Sequence, residues 1–224
     1  MRVKICGLRR LEDAAVAVDA GADALGFNFW KRSPRYIEPS EAARIIADIP
    51  ASVLTVGVFV DESPERLLEI AAETGIAAVQ LHGSETPEYL DRLGSYVKIK
   101  AVRVNEHFQP EQLSPYRSAS LFLLDGFAVG VPGGTGRTFD WSLAGKAKAY
   151  GKIILAGGLD QSNVAEAVRR VRPWGVDVCS GVEVEPGKKD LRLIREFLAA
   201  ARSADPEEDD EDLPAHDSTL SKRL

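Results

Sequence analysis

Short apolar runs recur along this chain, separated by segments of mixed polarity. Eight stand out: Val3-Cys6, Ala24-Phe29, Leu54-Val60, Ala77-Leu81, Val97-Val102, Leu121-Leu124, Ile153-Ala156 and Val176-Val178. Runs this short and apolar on both faces predict strands covered on both sides, as in a parallel sheet. The last run is the least apolar, because Asp177 interrupts it.

The intervening segments carry helix signals. Glu12 to Ala20 is rich in Ala and Val, with acids at its start. Ser40 is a candidate N-cap for Glu41 to Ile49. Ser63-Pro64-Glu65 and Thr86-Pro87-Glu88 each pair a capping hydroxyl with a proline suited to the first helical position. Trp141 to Tyr150, Asn163 to Val171 and Asp190 to Arg202 complete the set, whereas Pro115 weakens any helix over Gln109 to Tyr116. Strands alternating with helices at this spacing predict βαβ units. Eight units favour closure into a single (β/α)₈ barrel, the TIM-barrel architecture. The alternative, an open doubly wound sheet, usually has fewer strands and a Gly-x-Gly-x-x-Gly turn after the first, where this chain has only Gly7.

Charge divides the chain. The formal net charge is −6 over 224 residues. Residues 205–224, with eight acids and two bases, hold all of it. That segment is expected to be a disordered acidic tail behind a barrel domain of residues 1–204. The near-neutral body makes no electrostatic case for nucleic acid or membrane. The start, Met1-Arg2-Val3-Lys4, has no apolar signal region, so a cytoplasmic protein is expected. The two cysteines and three histidines lack metal-ligand spacing, and no metal is expected.

In such barrels chemistry sits where the strands end. Lys4 and Cys6 are two apart, on one side of their strand and roughly 6–7 Å apart along it. An ammonium near a thiol favours thiolate, a proton acceptor; the bland reading is a small buried residue. Phe27-Asn28-Phe29-Trp30 leads into a loop with Lys31, Arg32 and Arg35. That loop could cover an anionic aromatic ligand, or be a basic loop beside core aromatics. Gln80 and His82 share a side and could face one pocket, although a lone His is more often structural. Asp125 ends the sixth run beside Leu123, Leu124 and Phe127. Lost solvation there would raise its pKa and suit it as an acid; the alternative is a turn cap. Gly133, Gly134 and Gly136 follow, offering backbone NH groups or merely freedom. Gly157-Gly158 and Ser180-Gly181, after runs seven and eight, suit a phosphate.

These motifs, in order, resemble phosphoribosylanthranilate isomerase: Lys4-Ile5-Cys6-Gly7, Gly26-Phe27-Asn28-Phe29, Ser33-Pro34-Arg35-Tyr36, Gln80-Leu81-His82-Gly83, Leu124-Asp125, Gly133-Gly134-Thr135-Gly136, Leu155-Ala156-Gly157-Gly158-Leu159 and Ser180-Gly181-Val182-Glu183. The resemblance runs to about residue 200. It departs at Cys179, where the family commonly has Ser, and at Trp30-Lys31-Arg32, where Tyr-Pro-Lys is usual.

The resemblance implies an Amadori rearrangement in tryptophan biosynthesis, with no cofactor. N-(5-phosphoribosyl)anthranilate would become 1-(2-carboxyphenylamino)-1-deoxyribulose 5-phosphate. Cys6 would be the general base and Asp125 the general acid. Arg35 would bind the anthranilate carboxylate. Gln80, His82, Gly134, Gly136, Gly157, Gly158, Ser180 and Gly181 would line the substrate site. The expected partner is a small phosphorylated molecule, with the protein a monomer or a homodimer. The histidine-pathway isomerase, which performs the same rearrangement on a related phosphoribosyl substrate, places Asp where Cys6 stands; a silent phosphate-binding barrel would need neither Cys6 nor Asp125.

Overall fold

The computed structural model describes residues 1–126 and 140–204. The expected acidic tail, residues 205–224, lies outside them, as do Gly134 and Gly136. Eight parallel strands close into a barrel in chain order: β1 (Arg2–Cys6), β2 (Ala24–Asn28), β3 (Leu54–Phe59), β4 (Ala78–Leu81), β5 (Val97–Val104), β6 (Leu121–Gly126), β7 (Ile153–Ala156) and β8 (Gly175–Val178). The described helices around them are α1 (Leu11–Asp19), α2 (Pro39–Ala47), α3 (Pro64–Thr74), α4 (Pro87–Asp91), α5 (Trp141–Ala147), α6 (Val164–Val171) and α7 (Leu191–Ser203). A two-stranded ribbon, β9 (Glu183–Glu185) with β10 (Lys188–Lys189), precedes α7.

The (β/α)₈ expectation holds, with local corrections. Ser40 does not cap α2: Pro39 takes the first helical position and Glu38 the cap. This is the same proline preference that places Pro64 and Pro87, whose caps Ser63 and Thr86 do accept from Arg66 and Tyr89 backbone NH groups. Between β5 and β6, only a 3₁₀ turn, Pro110–Leu113, replaces an α-helix. No described helix is long and apolar enough to cross a membrane.

The period-2 alternation of each strand sorts its residues. Val3, Ile5, Val79, Leu81, Phe122, Leu124, Val176 and Val178 pack outward under the helices. Val56, Ala78, Ile99, Ala101, Leu121, Leu123, Ile154 and Ala156 fill the barrel interior. The same alternation turns Lys4, Cys6, Gln80, Asp125 and Asp177 inward, above that apolar plug. The polar end of the barrel is therefore set by strand phase.

Candidate active site

The seam between β1 and β8 builds the first half of the site. Their register pairs Lys4 with Asp177 and Ile5 with Val178. Lys4 Nζ donates to Asp177 Oδ1 at 2.8 Å, with both side chains below 10% exposure. Burial alone would lower the Lys4 pKa, but the Asp177 carboxylate and the Cys6 sulfur outweigh it and the pKa rises. Burial also pushes Asp177 up to about 6, against the pull of Lys4. Cys6, one layer higher, is buried. Gly26, its register partner on β2, has no Cβ to meet the Cys6 sulfur and Lys4 Cε. Interaction with the Cys179 thiol holds the Cys6 pKa well below the usual thiol range. Burial opposes it, and the charges of Lys4 and Lys189 assist. The same interaction, and then burial, pushes Cys179 up.

The second half joins β4 and β6. His82 Nε2 lies 3.1 Å from Asp125 Oδ2, and Gln80 Nε2 lies 3.1 Å from His82 Nδ1. With the amide nitrogen donating to Nδ1, the ring proton is on Nε2 and His82 donates to the Asp125 carboxylate. The turn after His82 is clamped from behind. Glu85 accepts from the backbone NH of Gly83 and of Asp61, while Lys100 donates to Glu85 Oε2 at 2.7 Å and to the Gly83 carbonyl at 2.8 Å. Both side chains of that ion pair are almost wholly buried. Asp125 is less enclosed than its apolar neighbours in sequence imply, with 26% of its side chain exposed. A cleft of about 490 Å³ opens beside His82, lined also by Asp61, Ser84, Lys100 and Arg103.

The loops after β7 and β8 interlock with this pair. Gly157 adopts φ +79°, and a Cβ there would meet Asp125 Oδ1 at 2.6 Å and the Gly126 backbone at 2.3 Å. Gly181 lies against the Leu159 carbonyl, where a Cβ would sit at 2.1 Å. Neither position admits another residue without moving backbone. Gly158 and Ser180 are exposed at the same rim, and Asn163 Nδ2 donates to the Gly158 carbonyl.

Arg35 reaches the site across Gly7. Its Nε and Nη2 donate to Glu183, at 2.9 and 2.7 Å. The Glu183 hydrogen bonds raise the Arg35 pKa in spite of burial. Glu183 also accepts from Lys189 Nζ at 2.9 Å, and these partners outweigh burial to hold its pKa below the usual range. Of the aromatic cluster, Phe27 and Phe29 belong to the core under the helices, whereas Trp30 is 38% exposed.

The structure thus brings Cys6, Asp125, Arg35, Gln80, His82, Gly157, Gly158, Ser180 and Gly181 to one end of the barrel; Gly134 and Gly136 lie outside the described residues. Sequence reasoning missed Asp177 as the partner of Lys4, Glu183 as the partner of Arg35, and the Glu85–Lys100 clamp. The signal for the first lay in the sequence: a charge in a buried strand requires a counter-charge.

A family model described as PRAI, N-(5'-phosphoribosyl)anthranilate (PRA) isomerase, matches residues 3–200. N-(5'-phosphoribosyl)anthranilate isomerase of Pelobacter propionicus is 49% identical over 202 residues, covering 90% of this chain and 96% of that protein. The crystal structure of phosphoribosyl anthranilate isomerase from Thermotoga maritima superposes with TM-score 0.85 at 44% identity, covering 91% of this chain and 99% of that one. A structure of phosphoribosyl anthranilate isomerase in complex with reduced 1-(o-carboxyphenylamino)-1-deoxyribulose 5-phosphate gives TM-score 0.82 at 43% identity, with 91% and 99% coverage. With matched motifs at matched strand ends and nearly full coverage in both directions, this chain belongs to the N-(5'-phosphoribosyl)anthranilate isomerase family.

Proposed function

We propose that this chain rearranges N-(5'-phosphoribosyl)anthranilate to 1-(2-carboxyphenylamino)-1-deoxyribulose 5-phosphate in tryptophan biosynthesis, with Cys6 as base and Asp125 as acid. The observation that carries the assignment is strand phase in a closed barrel: the alternation that sends Ile5 and Leu124 outward turns Cys6 and Asp125 inward at the same end of it.

Asp125 gives a proton to the furanose ring oxygen. The bond from that oxygen to C1 breaks, leaving an open-chain iminium. The Cys6 thiolate takes the C2 proton, and the C1–C2 bond becomes the double bond of an enolamine. Moving the hydroxyl proton from O2 to C1 gives the aminoketone. Each step is a proton transfer within one substrate, and general acid–base groups suffice for it.

The Gln80–His82–Asp125 chain supports the acid role. The acid role needs one more proton on this pair than a neutral His82 donating to a carboxylate carries. Among the described residues, Gln80 Oε1 is buried with no hydrogen-bond partner. Turning that amide over sets Oε1 on a protonated Nδ1, freeing His82 Nε2 to accept from a protonated Asp125. Gln80 and His82 thereby act on the acid, besides any contact with substrate. Gly157, Gly158, Ser180 and Gly181 supply the phosphate rim, and Arg35 receives the anthranilate carboxylate. All of this chemistry falls within residues 1–204 of one chain, so a monomer or a homodimer could hold it, and the cytoplasm is its expected place.

A fluorescence assay for loss of phosphoribosylanthranilate tests the assignment. Wild type consumes the substrate and Cys6→Ala does not, while both bind the product. Product binding without turnover in the wild type would instead identify a silent binding barrel.

A further inference from the structure

Cys179 stands outside the proton transfers, yet its sulfur is placed beside the base. The β1–β8 register puts Lys4 on Asp177 and Ile5 on Val178. Cys6 is the next residue of β1, and Cys179 is the first residue past the end of β8. Adjacent strands lie about 4.8 Å apart, within the Cα separation of roughly 4.4–6.8 Å that a disulfide spans. Gly7 gives the second sulfur its room: a Cβ at Gly7 would lie 3.0 Å from Cys179 Sγ. Both thiols are free, Cys6 buried and Cys179 half-buried. A serine at 179 could also act as a hydrogen-bond donor. What sulfur adds is redox chemistry.

We propose that Cys6 and Cys179 form a reversible, inactivating disulfide when the protein meets a hydroperoxide. The Cys6 thiolate attacks the peroxide; an S–O bond forms, the O–O bond breaks, and the leaving oxygen takes a proton. Cys6 is then a sulfenic acid, oxidised by two electrons, and the peroxide is reduced to water or an alcohol. Cys179 sulfur attacks Cys6 sulfur, the S–S bond forms, the S–O bond breaks, and the departing hydroxide takes the Cys179 proton and leaves as water. A dithiol reverses the bridge. The neighbours of Cys179 suit it to the second step. Lys189 Nζ lies 3.8 Å from its sulfur and favours thiolate, and Glu183 Oε1 lies 4.0 Å away as a proton acceptor. The pair switches turnover off and spares Cys6 from irreversible oxidation. The loss of turnover rests on Cys6 being the base; the bond itself does not.

The test treats the reduced full-length protein with hydrogen peroxide and follows intact mass, a non-reducing digest and turnover together. The expected result is loss of the mass of two hydrogens, a linked Cys6–Cys179 peptide, and activity that falls in step and returns with dithiothreitol. In Cys179→Ser, or Cys179→Ala should the serine variant fold poorly, each normalised to its own untreated rate, further peroxide carries Cys6 on to sulfinic or sulfonic acid, two or three oxygens heavier, and activity does not return. Wild type that keeps both thiols, or gains oxygen at Cys6 without the bridge, overturns the proposal. A bridge that leaves turnover intact overturns the inactivation and removes Cys6 as base, while leaving the bond established.

Discussion

Lys4 and Asp177 form an ion pair closed off from solvent, 2.8 Å apart, one layer beneath Cys6. The pair fastens the first strand to the last and sets a positive charge under the sulfur. Those two roles separate by mutation. Lys4→Met leaves a buried carboxylate unpaired and should cost about 3–5 kcal/mol in urea unfolding. Lys4→Met/Asp177→Leu should recover most of that stability. The Cys6 pKa should rise in both, since the charge is missing in both. A double variant with wild-type thiol acidity would remove Lys4 from the tuning of Cys6.

The acidity of Cys6 also fixes the pH response. The base works as thiolate, so activity is present above the folded-state pKa of Cys6 and lost as pH falls through it. That pKa lies well below the ordinary thiol value, first through interaction with the Cys179 thiol. The acid limb of kcat/KM should therefore lie below the range of a free thiol. Cys179→Ala should move it to higher pH, and thiolate absorbance should titrate in parallel. An acid limb unmoved by that change would sever the link between the two sulfurs.

On the opposite side, Asp125→Asn should lower kcat by about 10²–10⁴-fold, the usual worth of a positioned acid, with product affinity retained. His82→Ala should reduce kcat by about 10²-fold, the scale of a mispositioned catalytic group. Gln80→Ala should do less. Single-turnover measurements would separate these effects from product release; a His82 variant that changed only KM would assign His82 to substrate binding alone.

Arg35 carries a different signature. Glu183 grips its Nε and Nη2 and fixes the plane of the guanidinium. Arg35→Ala and Glu183→Gln should both raise KM for phosphoribosylanthranilate while kcat changes little, the first more than the second. An Arg35 variant with unchanged KM would mean that the anthranilate carboxylate is held elsewhere.

Much of this was legible in residue order. The apolar runs located all eight strands, and the hydroxyl–proline pairs located α3 and α4. The inward placement of Cys6, Gln80 and Asp125 follows from each strand's own alternation. The unread parts were pairings between distant segments. Asp177 looked like a flaw in an apolar run because its partner is 173 residues away. Glu183 sat in a recognised motif, but its hold on Arg35 spans 148 residues. Lys100 was absorbed into an apolar run, and only the fold reveals Glu85 behind it. Local signals give strand phase; they do not give which charge meets which across a closed ring.

The closing seam also governs when the sulfur becomes reactive. The strand that bears Cys6 is made well before the eighth, and the lysine's counter-ion and the second thiol arrive only with the eighth strand and the residue after it. Until the ring shuts, the nascent polypeptide carries an unremarkable cysteine of ordinary acidity. Its strongest nucleophile comes into being together with the finished barrel, so an incomplete or misassembled copy has little of the thiolate that would otherwise invite damage.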